Sequence, residues 1–234
     1  MKGFSLLELS LAIAIMAILM AGITLGGNIL DNAKILGVVK QFKEVDLAIF
    51  NFKDKYGSYP GDFSDAYRYF AAEDDEICGD KNQCNGDDDG YIEVGAKRSS
   101  EVYRLWQHLA LGKFIKGDYS GVWGESPYYM QGGFSANITV KNEDKYGNVI
   151  KFGSFVNMSG GTSDGGVFYP HIAEKLDQKL DDKNPIRGQV RGGHGFLGGD
   201  ADDLASYDSN CYDDVEYKVS YDNSKACNLI FILN

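Results

Sequence analysis

Positive charge is scarce in this sequence: 23 Lys and Arg stand against 34 Asp and Glu, for a formal net charge of −11. An acidic surface repels phosphate backbones, so no nucleic-acid partner is expected. Other things are missing too. No Cys-x-x-Cys clamp occurs, which argues against a four-thiolate zinc site. His108, His171 and His194 lack metalloprotease spacing, and there is no Gly-x-Ser-x-Gly elbow. No internal repeat or long low-complexity linker divides the chain. No charged side chain lies between Glu8 and Asp31, and that absence sets the organisation of the rest.

The uncharged run, Leu9 to Leu30, is about 22 residues long. At ~1.5 Å rise per residue a helix of that length spans about 33 Å, which matches a ~30 Å hydrocarbon layer. No small-x-small cleavage pattern follows it, so an ordinary secretory signal is disfavoured. Glu8 stands at the head of the run. A carboxylate there needs a partner. If the chain begins at Phe4, the free α-amine supplies one, in the same chain or an adjacent one; a bland alternative is a favourable interaction with the helix N-terminus.

Helical periodicity continues past the uncharged run. Ile35, Val38, Val39, Phe42, Val45, Ile49 and Phe52 recur at three- and four-residue steps, with Lys34, Lys40, Lys43, Asp46, Lys53 and Asp54 on the other faces. One helix is expected from Ser5 to Tyr56, apolar all round in its first half, amphipathic in its second, and ended before Pro60-Gly61. Further on, helices are expected over Ser64–Ala72, after a cap at Ser99 or Ser100 as far as Gly112, and from Pro170 to Leu180. Strand patterns occupy Ser135–Val140, Val149–Val156, Val215–Tyr221 and Leu229–Leu233. These imply an α+β head, an antiparallel sheet of about four strands laid on the long helix.

The cysteines fall as two local pairs, Cys78 with Cys84 and Cys211 with Cys227. Local pairing closes two short loops, each worth roughly 2–3 kcal/mol of unfolded-state constraint, and implies an oxidising compartment. Next to the first pair lies Asn85-Gly86-Asp87-Asp88-Asp89-Gly90-Tyr91-Ile92-Glu93. It resembles the first half of an EF-hand loop, with Asn85, Asp87 and Asp89 offering side chains, Tyr91 its carbonyl, and Glu93 a direct or water-mediated ligand. The twelfth position is Ala96, so the usual bidentate glutamate is missing. Ca2+ is the one cofactor implied; a solvated acidic turn is the alternative. Asp177, Asp181 and Asp182 form a second acidic group, read as a helix end meeting solvent. Gly193-His194-Gly195-Phe196-Leu197-Gly198 formally matches a dinucleotide fingerprint, but no helix pattern follows it, so it reads as a flexible glycine-rich loop.

The N-terminal residues Met1-Lys2-Gly3-Phe4-Ser5-Leu6-Leu7-Glu8-Leu9 resemble the class III signal of type IV pilins and type II secretion pseudopilins: a short basic leader, glycine before the scissile bond, phenylalanine after it, and glutamate at the fifth mature position. The resemblance implies cleavage between Gly3 and Phe4 by prepilin peptidase, N-methylation of Phe4, and a role for Glu8 in aligning each subunit during assembly. It implies a structural subunit and not an enzyme, with like subunits and other pilins as partners. Such a subunit is held in the inner membrane by a single pass, with a periplasmic head, and then moves into a pilus or periplasmic pseudopilus. Residues 1–3 would be leader, 4–30 the transmembrane and filament-core half of the helix, 31–56 its amphipathic half, and 57–234 the head. Weaker likenesses in the head, Tyr59-Pro60-Gly61-Asp62, Trp106-Gln107-His108-Leu109 and Leu176–Asp182, are to large prepilin-like proteins. Calcium-stabilised loops are frequent among pseudopilins. Unlike many major pilins, the chain has no proline in mid-helix, where Gly22, Gly26 and Gly27 stand instead. The rival reading is a membrane-anchored periplasmic enzyme or binding protein.

Overall fold

The computed structural model describes residues 5–71, 78–95, 100–122, 124, 130–156, 162–197, 207–221 and 223–233, and of residues 22–28 the backbone only. The cleavage residues Gly3 and Phe4, and Ser99 and Ala72 at the expected helix ends, lie outside these.

Helix α1 runs over Leu6–Tyr56. Ser5 is its N-cap, and the start is a reciprocal capping box. The Glu8 N–H donates to Ser5 Oγ at 3.3 Å, and the Ser5 N–H donates to Glu8 Oε2 at 2.9 Å. Gly57 ends the helix in the left-handed conformation, its N–H bonded to the Lys53 carbonyl. The two halves behave as their composition dictates. Leu9, Ile13, Met16 and Leu19 are exposed in the first half; Ile35, Val38, Phe42, Val45, Ile49 and Phe52 are buried in the second, and Val39 is half-buried. Among the described residues no helix is long and apolar enough to cross a membrane.

The head is a mixed α+β unit. Helices α2 (Ala66–Phe70), α3 (Lys81–Cys84) and α4 (Glu101–Leu111) precede the sheet, and α5 (Pro170–Leu180) interrupts it. Strands β1 (Met130–Gln131), β2 (Asn137–Glu143), β3 (Gly147–Val156), β8 (Cys227–Ile232) and β5 (Val190–His194) follow one another across an antiparallel sheet, and β4 (Thr162–Gly165) pairs with the far end of β3. Val140, Ile150, Phe231 and Val190 stand opposite one another across four strands. All four are buried on the side facing α1, where Phe42 stacks on Phe231 with ring centroids 4.1 Å apart.

Three expectations are corrected. Among the described residues the antiparallel sheet has six strands where about four were expected. Val215–Tyr221 is not a strand of it: Glu216–Tyr217 (β7) pairs only with Tyr212–Asp213 (β6), in a separate hairpin. Alternation over 215–221 suggested a longer strand, but among the described residues its partner is two residues long. The glycine-rich stretch is no free loop. Gly193 and His194 belong to β5, paired with Asn228 and Cys227, and the Gly195 N–H donates to the Ala226 carbonyl at 2.7 Å. Low strand propensity of glycine hid this segment; the neighbouring backbone of β8 recruits it. α3 and β4 are too short to show a period.

Both disulfides are local, Cys78–Cys84 and Cys211–Cys227. The second pins the β6–β7 hairpin to the first residue of β8.

Candidate functional site

Two places carry the sequence-derived candidates: the start of α1 and the acidic loop following the first disulfide. At the first, Glu8 is exposed and folded back onto the N-cap. Its partner is thus the backbone one turn earlier, at the edge of the described chain. A carboxylate held within a turn of residue 4 is in reach of an α-amine placed there.

The second place is assembled around Pro60-Gly61-Asp62, directly after α1. Gly61 has φ +94° and no room for a Cβ, which would lie 2.5 Å from the Glu101 carbonyl oxygen. Gly86 packs as closely: its Cβ would lie 2.2 Å from the Asp62 carbonyl carbon. The two glycines let the 60–62 turn sit between α4 and the acidic loop. His108 bolts them together. The Gly61 N–H donates to Nδ1 at 2.8 Å, so Nε2 carries the proton and donates to the Cys84 carbonyl at 2.7 Å. Burial, followed by the opposing pull of the Cys84 bond and the repulsion of Arg104, pushes the His108 pKa down to about 4, keeping the ring neutral. It is a structural bridge. Arg104 donates to the carbonyls of Asn85 and, at 2.6 Å, Asn82, drawing the loop onto α4.

Asp62 is fully buried. Its Oδ1 accepts from the Asp89 N–H and its Oδ2 from the Gly90 N–H, each at 3.0 Å, and its carbonyl accepts from the Asp88 N–H at 2.9 Å. Glu101, nearly buried at the first turn of α4, accepts from the Asp87 N–H at 3.3 Å and the Glu93 N–H at 3.1 Å. Burial raises both acids. Glu101 reaches about 7, with the Glu93 N–H opposing and the Asp87 and Asp62 charges adding to the rise. Asp62 is raised by burial, against the pull of the Gly90, Asp89 and Asp88 amides.

One carboxylate oxygen each of Asp62, Asp87 and Asp89 lies within 4.8 Å of the other two. Oxygens bound to a common Ca2+ at ~2.3–2.6 Å are at most about 5 Å apart, so the three are spaced for one ion. Asp87 and Asp89 are exposed, leaving room for water. Asp87 and Asp89 converge. Asn85 instead points its Oδ1 at the Tyr67 N–H, at 2.7 Å, at the start of α2. The Tyr91 N–H closes on Asp89 Oδ1 at 2.8 Å, and the Glu93 side chain is exposed. Asp62 was missed because it comes from a distant stretch; the turn Tyr59-Pro60-Gly61 before it was the available signal.

The second acidic group is turn architecture. Asp177 is buried and not at a solvated helix end: it accepts from the Tyr217 hydroxyl at 2.9 Å and the Lys183 N–H at 3.1 Å. Burial lifts it to about 6. Asp181 takes the Gln189 and Val190 N–H groups, and Asp182 the Asn184 N–H at 2.9 Å. The three histidines do not meet: His194 stacks on Tyr212, His171 on Tyr169, and His108 lies in the bridge above.

No curated protein and no solved structure matches the chain. Residues 1–24 match the prokaryotic N-terminal methylation motif, and with Glu8 at the head of a 51-residue helix whose second half is buried under an α+β head, the chain carries the prepilin signal of type IV pilins and pseudopilins.

Proposed function

We propose that this chain is a structural subunit, a pilin or pseudopilin and a minor one, of a type IV pilus or a type II secretion pseudopilus. The observation that carries the reading is the methylation motif at residues 1–24 joined to a helix that leaves one apolar half uncovered. An apolar, uncovered helix half is stable only in a bilayer or against other such helices. Before assembly the uncharged run Leu9–Leu30 anchors the subunit in the inner membrane with the head in the periplasm. Prepilin peptidase cuts between Gly3 and Phe4, Phe4 is methylated, and Glu8 then exchanges its N-cap contact for the terminal amine of a neighbouring subunit. The acidic head disfavours a DNA-capturing role. The missing mid-helix proline and the large head disfavour the common major subunits.

Mass analysis of the mature N-terminus is the first test. A chain beginning at methylated Phe4 is expected; one beginning at Met1 refutes the processing step. Glu8→Ala should abolish incorporation into filaments while insertion and folding persist. An anchored enzyme or binding protein would be unaffected by it. Quantitative mass spectrometry of sheared filaments separates minor from major: a dominant share for this chain overturns the minor assignment. Loss of exoprotein release on deletion, with surface fibres intact, assigns it to secretion.

The acidic loop fits the same reading as a calcium-stabilised element of the head, with Asp62, Asp87 and Asp89 as ligands. What supports it is the oxygen spacing, with Arg104, which also feels Glu101, the one cation shown to act on Asp87 among the described residues.

A further inference from the structure

At the end of the head where α1 emerges, a cavity of about 630 Å³ opens between α1, the turn before β2 and the start of α5. Asp31, Lys34, Ser135, Tyr169, His171 and Lys225 line it. Asp31, Lys34 and Lys225 make no ion pair among the described residues. Two lysines facing one cavity are conspicuous in a chain of net charge −11. The backbone beside it is held in an unusual shape: Phe134 and Ser135 have φ of +59° and +60°, the first carrying its ring under the Lys34 ammonium, 5.7 Å from the ring centroid. The strain is fixed by α1, since Gln41 Oε1 accepts from the Gly133 N–H at 2.9 Å.

We propose that this cavity holds the headgroup of a phospholipid bearing both a phosphate and a primary amine, with Lys34 and Lys225 on the phosphate and Asp31 on the ammonium. Position is the first argument. Asp31 is the first charged residue after the uncharged run, and Lys34 lies about 6 Å along the helix from Leu30 at ~1.5 Å per residue. The headgroup zone is ~5–7 Å deep on each side of the hydrocarbon. Charge is the second. Phosphate finds two cations here, and the partial positive charge at the start of α5, which has no acidic residue in its first turn, adds to them. The single carboxylate would be a defect in a site for a simple anion and is an asset for a zwitterion. The overall acidity of the chain also disfavours a purely anionic lipid surface and leaves a neutral headgroup acceptable. A primary ammonium donates hydrogen bonds to Asp31; a quaternary one cannot. The headgroup would fix the height and rotation of the subunit in the bilayer before extraction into a filament.

The inference rests on the anchored reading above, and the test separates the two. The full chain in neutral detergent is examined by native mass spectrometry with phosphatidylethanolamine, with phosphatidylcholine, and with inorganic phosphate as competitor. The chain is expected to retain phosphatidylethanolamine in preference to phosphatidylcholine. Lys34→Gln with Lys225→Gln should weaken retention roughly tenfold, and Asp31→Asn should erase the preference for the primary amine. All three positions are at least partly open to solvent, and far-ultraviolet circular dichroism checks that each variant folds. Equal retention by the parent and the double-lysine variant overturns the proposal. So does equal binding of the two lipids by the parent, or displacement by millimolar phosphate, which would mark a free-phosphate site. A double variant that keeps the lipid but fails to enter filaments overturns it in favour of a contact with a neighbouring subunit. Flotation with phosphatidylcholine vesicles is the separate control. A chain that floats with no vesicle removes the anchored reading itself; one that floats whatever stands at 34 and 225 keeps the anchor, and the detergent comparison of the two lipids then decides the headgroup site alone.

Discussion

Two groups of acids in the head meet opposite fates. On the outer face of the sheet, Glu143 and Asp164 share Lys151 and Lys141. Lys151 Nζ lies 2.9 Å from Glu143 and also against Asp164, while Lys141 lies 3.0 Å from Glu143 and 3.5 Å from Asp164. Burial alone would raise Asp164, but the two ammonium groups outweigh it and hold it at about 2. In the loop beside α4, Asp62 and Glu101 are buried, and their hydrogen-bond donors are backbone N–H groups and, on Asp62, the Ser58 hydroxyl at 3.4 Å. There burial wins, and Glu101 stands at about 7. Two carboxylates beside two lysines are neutral as a group. Four carboxylates, Asp62, Asp87, Asp89 and Glu101, beside one guanidinium, Arg104, are not. The difference marks the loop as the part of the head whose charge is left for something else to balance.

Breaking the balanced group should have the largest effect. Lys151→Ala strands Asp164 and Glu143 on a single, more peripheral lysine. Removing one member of a buried ion network costs about 3–5 kcal/mol. Denaturant unfolding should show that loss as a lower midpoint with an unchanged slope. A change below about 1 kcal/mol would mean that Lys141 alone neutralises the group.

Supplying the missing charge to the loop should act in the opposite direction. A ligand that binds only the native state at a hundred times its Kd adds about 2.7 kcal/mol. Thermal unfolding with Ca2+ and with chelator should therefore differ in the parent chain, and the difference should vanish in Asp62→Asn and in Asp87→Ala. Identical curves for the parent in both conditions would dismiss the ion and return the loop to a solvated acidic turn. An Asn85→Ala variant sharpens the assignment: with its side chain engaged at α2, Asn85 should alter stability without altering the calcium response.

How much of this was legible follows from the range of each interaction. The α1 face from Ile35 to Phe52 was readable because its partners are three and four residues apart, and Pro170 and Gly112 announced helix ends for equally local reasons. Asp87 and Asp89 were readable as a loop motif with period two. Asp62 and Glu101 were not, because their connection to that loop passes through Gly61, Gly86 and His108, which are separated from each other by tens of residues and fit only by close backbone approach. β5 was hidden for the same reason: Gly192 and Gly193 carry no strand signal of their own and are ordered by β8. Ser100 is an intermediate case. It stands at the N-cap of α4 as expected, yet makes no capping bond through its side chain, since Glu101 beside it takes up the loop amides.

The smallest expected effect distinguishes the two acid groups by the sign of their pH dependence. Asp164 has its folded pKa lowered from 3.8 to about 2, so its stabilisation is present above pH 3.8 and disappears as pH falls through 2. Glu101 has its folded pKa raised from 4.5 to about 7. The native chain then holds a proton that the unfolded chain releases, so the associated stability is complete below pH 4.5 and is lost as pH rises through 7. In chelator, stability should decline between about pH 4.5 and 7 by on the order of 1 kcal/mol on this account. Asp177, raised from 3.8 to about 6, contributes a decline in the same direction but at lower pH. Glu101→Gln keeps an oxygen acceptor for the Asp87 or Glu93 N–H and removes the titration. It should flatten the slope between about pH 6 and 7 and leave the Asp177 part, below pH 6, in place. Calcium should flatten it too, because a cation beside Asp62 and Asp87 lowers the proton affinity of Glu101. A slope unchanged by both the substitution and the ion would show that backbone amides alone already satisfy Glu101 as a carboxylate, and would erase the contrast with Asp164.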